Sequence, residues 1–130
     1  MQPKLVYLID DDNFLLDMYV LKLKECGLPV EAISDATIAL EKIRHGAEPD
    51  IIMVDIIMPG MNGFDFLERL KKEGLAKNAL LIVLSNQGQQ EDLDRAKALN
   101  VAGYIVKASA IPSEVCDKVL AISGATAIKK

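Results

Sequence analysis

Apolar residues fall along this chain in short blocks separated by longer mixed segments. Five blocks read as strands: "LVYLI" (Leu5–Ile9), "VEAI" (Val30–Ile33), "IIMV" (Ile51–Val54), "ALLIVL" (Ala79–Leu84) and "YIV" (Tyr104–Val106). The segments between them, near Asn13–Cys26, Ala36–His45, Phe64–Glu73, Gln90–Leu99 and Pro112–Ile122, have the length and composition of helices. Gly27, Gly46 and Gly74 stand where helices end, Ser34 or Asp35 can cap the second helix, and Pro112 is tolerated in the first turn of the fifth. Such alternation predicts a parallel sheet covered on both faces, a doubly wound (βα)5 three-layer sandwich. The first, third and fourth strands are apolar throughout and belong at the centre; the second carries Glu31 and the fifth is short, which suits edges. Right-handed crossovers then favour the strand order 2-1-3-4-5.

Composition sharpens this picture in a few places. With 130 residues, 51% hydrophobic and 26% charged, the chain is expected to form one packed domain over residues 1–124, with 125–130 as a loose tail. A net charge of −4 argues against nucleic acid as a partner. The longest apolar run, Ala79–Leu84, is far short of a membrane span, and no apolar signal segment precedes the first strand, so a cytoplasmic protein is expected. Cys26 and Cys116 lack metal or redox spacing and suit a reducing compartment. One ends the first helix and the other opens the fifth, which at ~1.5 Å of rise per residue places them too far apart for a disulfide. His45 reads as a surface residue, and Met53, Met58 and Met61 as core and loop packing.

The chemistry is expected where the strands end, at the switch in strand order between the first and third. Asp10, Asp11 and Asp12 follow the first strand, Asp55 the third, Ser85 the fourth and Lys107 the fifth. Taken singly, Asp12 is a helix N-cap, Asp10, Asp11 and Asp55 are turn residues, and Lys107 is solvated. Their convergence on one crevice outweighs those separate readings. Clustered carboxylates make a hard-oxygen site suited to Mg²⁺, and a carboxylate can itself act as a nucleophile toward phosphorus. A phosphoryl group there needs its oxygens held by the metal, by a cation and by a hydroxyl or amide donor.

Specific motifs now add a family. "DIIMPGMNG" (Asp55–Gly63), the acidic "IDDD" (Ile9–Asp12), "LS" (Leu84–Ser85) and "GYIVK" (Gly103–Lys107) together resemble the receiver domain of two-component response regulators, from about Lys4 to Ile122. The resemblance implies a flavodoxin-like fold and Asp55 as phosphoacceptor, loaded by a sensor histidine kinase or a histidine phosphotransfer protein. It implies Mg²⁺ (or Mn²⁺) bound by Asp11, Asp55 and the main-chain carbonyl of Ile57, with Asp10 acting through water. Lys107 would pair with the phosphoryl group, while Ser85 and Tyr104 would form the switch that alters binding of a downstream protein partner. No independent enzyme activity is implied beyond Mg²⁺-dependent self-phosphorylation and autodephosphorylation.

The first helix is too apolar for every such residue to face inward. In the family that the chain resembles, phosphodonors dock beside this helix, and the resemblance implies that Phe14, Leu15 and Met18, near the crevice, form part of that docking patch. The chain is expected to be a monomer, with dimerisation on phosphorylation as the alternative. Three departures from the family pattern stand out. Asn86 replaces the usual alanine, and Ala108 replaces the usual proline after Lys107, so the Lys107–Ala108 peptide is expected to be trans. Nothing follows the fifth helix, which favours a stand-alone receiver. Rival readings are weaker. An aspartyl-phosphate phosphatase would place a second acid at position 57, here Ile57; a flavin carrier would need a hydroxyl-rich phosphate loop after the first strand; a degenerate receiver would lack Asp55 or Lys107.

Overall fold

Strict alternation within each strand builds the molecule, because successive side chains point to opposite faces of a sheet. The computed structural model describes residues 5–85, 89–107 and 112–123, with the side chains of 112, 113 and 123 excepted. Its strands are β1 (Val6–Ile9), β2 (Val30–Ile33), β3 (Ile51–Asp55), β4 (Leu80–Ser85) and β5 (Gly103–Val106). The helices are α1 (Asn13–Glu25), α2 (Ala36–Arg44), α3 (Gly63–Glu73), α4 (Gln90–Ala98) and α5 (Pro112–Ser123). The strands form one parallel sheet in the order β2-β1-β3-β4-β5, as the crossover rule predicts. Strand β1 pairs with β3 from Val6↔Ile51 to Ile9↔Val54, which places the ends of both strands side by side.

Two cores result. Tyr7, Ile9, Ile52, Val54, Leu81 and Val83 face α2, α3 and α4; Val6, Leu8, Ile51, Met53, Ile82 and Leu84 face α1 and α5. The edge position of β2 leaves Glu31 partly exposed, where it pairs with Lys42 of α2 at 2.8 Å. Three helix starts, those of α1, α2 and α3, are set by side-chain caps. Asp12 accepts from the N–H groups of Phe14 and Leu15 at 3.1 and 3.2 Å, Asp35 rather than Ser34 caps α2 through Thr37, and Asn62 caps α3 through Asp65. On α1 the apolar surplus faces solvent: Phe14 is 72% and Leu21 63% exposed. His45 lies on the surface at the end of α2, and Met53 and Met58 are buried.

The cysteine expectation is overturned. Cys26 and Cys116 form a disulfide, with Cα atoms 6.8 Å apart. Level helix starts would separate these residues by about 14 Å of rise. Helices α1 and α5 pack side by side on one face of the sheet but are staggered or inclined, so the end of α1 meets the second turn of α5. Strand spacing along a sequence carries no information on that stagger.

Among the described residues no peptide bond is cis, and no helix is long and apolar enough to cross a membrane. The expectations at Asn86 and Ala108, the Lys107–Ala108 peptide and the tail 125–130 fall outside the described residues.

Candidate functional site

The carboxyl ends of β1, β3 and β5 bring together Asp10, Asp55 and Lys107, although 52 and 97 residues separate the lysine from its two partners. All three are buried: Asp10 is 1%, Asp55 4% and Lys107 8% exposed. The Lys107 ammonium donates to Asp10 Oδ2 at 2.8 Å and to Asp55 Oδ2 at 3.3 Å. Asp10 Oδ1 accepts from the Asp12 N–H at 3.0 Å, and Asp55 Oδ1 from the Ile57 N–H at 3.2 Å. Each buried carboxylate oxygen thus has a donor, and the lysine holds the two strand ends together.

Asp11 completes the cluster from the exposed side. Single carboxylate oxygens of Asp10, Asp11 and Asp55 lie within 4.8 Å of one another. The donor set is all oxygen and carries three negative charges against one lysine, which fits a hard divalent cation. Asp12, by contrast, serves α1 as its cap and is not part of this group.

Electrostatics follow from burial. Removal from water pushes the Asp55 carboxyl above the usual range; the Ile57 N–H and Lys107 oppose this, and the charge of Asp10 adds to it. For Lys107 burial acts downward, but the hydrogen bond and charge of Asp10, with Asp55 behind it, outweigh burial and hold the ammonium above its ordinary value. A carboxylate poised against one cation, with excess negative charge around it, is a nucleophile that becomes more comfortable when its charge is spread or neutralised.

Two residues matter in ways the sequence patterns did not show. Gly63, at the start of α3, passes so close to β3 that a Cβ there would lie 2.5 Å from the Asp55 carbonyl oxygen and 2.9 Å from Ile56 Cα. Its place at the end of "DIIMPGMNG" was legible, but the reason for glycine was not. Tyr19 of α1, 2% exposed in the α1–α5 core, feels the charges of Lys107 and Asp10; burial raises its phenol pKa. In the sequence, nothing distinguishes Tyr19 from the other apolar positions of the first helix.

The remaining expected residues are spread around the rim. Ser85 is 1% exposed at the end of β4, and Tyr104 on β5 is half-buried against the α2–α4 core. Ile57, just past Asp55, is 68% exposed. Phe14 stands out on the adjacent β1 side, whereas Leu15 and Met18 pack partly into the α1–α5 core. Of the expected docking patch, Phe14 is the fully presented member.

Comparison with known proteins agrees with this geometry. The family model described as the response regulator receiver domain matches residues 6–119. The transcriptional regulatory protein CreB of Escherichia coli K12 is 31% identical over 121 residues, 92% of this chain and 50% of CreB. The phosphate regulon transcriptional regulatory protein PhoB of the same strain is 27% identical over 118 residues, 90% of this chain and 50% of PhoB. The chain therefore spans about half the length of these curated relatives. Among solved structures, the chemotaxis protein CheY4 of Vibrio cholerae superposes with a TM-score of 0.84 at 26% identity, covering 93% of this chain and 99% of CheY4.

Proposed function

This chain belongs to the response regulator receiver domain family, and from that premise we propose that Asp55 accepts a phosphoryl group from a phosphohistidine. The observation that carries the proposal is the buried Asp55 carboxylate at the end of β3, with Lys107 3.3 Å away and Asp10 and Asp11 beside it. In the transfer, an Asp55 oxygen forms a bond to phosphorus as the bond from phosphorus to the imidazole nitrogen breaks. The imidazole leaves and takes up a proton. Lys107 is already placed to donate to the oxygens around Asp55 and turns toward the phosphoryl group. Asp10, Asp11, Asp55 and the main-chain carbonyl of Ile57 are the groups to hold Mg²⁺ (or Mn²⁺), Asp10 through water; the cation supplies neutralisation of the phosphoryl charge.

Ser85 and Tyr104 are the proposed switch. Ser85 ends β4 one residue beyond Leu84, the register partner of Asp55, and Tyr104 on β5 pairs with Val83, two residues before Ser85 on β4. A hydrogen bond from the Ser85 hydroxyl to the phosphoryl group shifts the population of the α4–β5–α5 face toward its partner-binding form. The phosphodonor, a sensor histidine kinase or histidine phosphotransfer protein, docks beside α1 on Phe14, with Leu15 and Met18 behind it. The reading places the chain in the cytoplasm, as a monomer before phosphorylation, with self-phosphorylation and autodephosphorylation as its only phosphoryl chemistry.

Incubation with Mg²⁺ and a small acyl phosphate, followed by intact mass measurement, tests the proposal. The expected result is a gain of one phosphoryl group that requires Mg²⁺ and is absent in Asp55→Asn. Labelling that survives Asp55→Asn unchanged overturns it.

A further inference from the structure

Outside the Asp55 site, one covalent feature has no part in phosphoryl chemistry. Cys26, which ends α1, is joined to Cys116 in the second turn of α5. Cys116 is 1% exposed inside the α1–α5 core, whereas Cys26 is half-buried at its edge. The bond spans a sequence separation of 90 and so encloses β2, β3, β4 and β5. Helix α5 is also seated directly on β5, since a Cβ at Gly103 would collide with the Ile122 side chain. The position of α5 is therefore fixed at two levels, by a covalent bond near its start and by contact with the sheet near its end.

We propose that Cys26–Cys116 is a reversible redox clasp through which a dithiol reductant controls how firmly α5 is held to α1. Disulfides in reducing compartments are usually transient or sensing, and a bond whose Cys26 end lies at the edge of the core is open to exchange. A reductant thiolate attacks Cys26 Sγ, the S–S bond breaks, and Cys116 leaves as a thiolate that takes a proton. The second thiolate of the reductant then attacks the mixed disulfide and releases Cys26, which is protonated in turn. The protein gains two electrons and two protons, and the reductant leaves as its own disulfide. With the clasp open, α5 loses its covalent tie to α1, and the face it shares with β5 opens more often. The clasp is thus a second input to the domain, independent of the chemistry at Asp55.

The test uses the unphosphorylated full chain, purified without reductant and then split between buffer and dithiothreitol. Alkylation after denaturation, read by intact mass, should modify no cysteine in the first sample and two in the second. Hydrogen exchange in residues 112–123 should be at least tenfold faster after reduction, and the melting temperature should fall by roughly 10 °C. Cys26→Ser, which keeps the buried Cys116, should exchange like the reduced parent and ignore dithiothreitol; oxidised glutathione should restore slow exchange in the parent only. The same results are expected in Asp55→Asn, so a failure of the phosphoacceptor reading leaves this test intact. Two alkylatable thiols in the unreduced chain, or α5 exchange unchanged by reductant, would overturn the clasp.

Discussion

Replacing Asp11 or Asp55 by asparagine removes one negative charge from the site and keeps the side chain nearly isosteric. The oxygens of Asp10, Asp11 and Asp55 lie within 4.8 Å of one another, so each like-charged pair costs about 3.5 kcal/mol at an effective dielectric of ~20. Lys107, 3.3 Å from Asp55, returns about 5 kcal/mol on the same scale. The two repulsions on Asp55 outweigh that attraction by roughly 2 kcal/mol, and solvent around the exposed Asp11 reduces the balance to the order of 1 kcal/mol. Each variant is therefore expected to be more stable than the metal-free parent, melting a few degrees higher.

The sign is supported by titration. The Asp55 pKa is raised in the fold, so the folded state holds its proton more tightly than the unfolded chain. Stability therefore falls as pH rises from the ordinary carboxylate range through the folded Asp55 value, and Asp55→Asn removes that loss. Thermal melts of parent, Asp11→Asn and Asp55→Asn, with and without Mg²⁺ and across mildly acidic pH, provide the assay. Mg²⁺ should stabilise the parent by mass action and the variants much less. Asp12→Asn is the control: its oxygen caps α1, asparagine caps equally well, and little change is expected. If both site variants melt below the metal-free parent, the carboxylates serve the fold as turn and cap residues and the repulsion argument is wrong.

Three further outcomes follow from the same geometry. Ile57→Asn should speed loss of phosphate from labelled protein, since the exposed branched side chain beside Asp55 is replaced by an amide that can orient an attacking water; slower or equal decay contradicts the idea. Gly63→Ala places a methyl group 2.5 Å from the Asp55 carbonyl, so it should cost about 2 kcal/mol or more by overpacking and slow phosphorylation, read by denaturant unfolding and intact mass. Lys107→Met leaves Asp10 and Asp55 buried without a cation and should destabilise by about 3 kcal/mol or more at neutral pH. Because the Lys107 pKa is raised, its contribution is complete below the ordinary lysine value and disappears as pH rises through the folded one, so the parent–variant gap should close at strongly alkaline pH.

Much of this protein was legible before its fold was known. Alternation within "LVYLI" and "ALLIVL" sets which side chains share a face, and apolar blocks separated by helix-length segments leave little choice but a parallel sheet. Given that sheet, Asp10, Asp55 and Lys107 had to meet at one edge, because each follows a strand by a fixed and small number of residues. Those are local facts, and local periodicity carries them. The structure decided what depends on how elements lie against one another. It chose Asp35 over Ser34 as the cap of α2, gave Lys107 a shorter bond to Asp10 than to Asp55, and brought Tyr19 within reach of the charges of Lys107 and Asp10. It also brought Cys116 to Cys26, against an estimate that treated two helices as starting level. Helix stagger and tilt are set by the summed packing of side chains from several elements, and no single stretch of sequence encodes that sum.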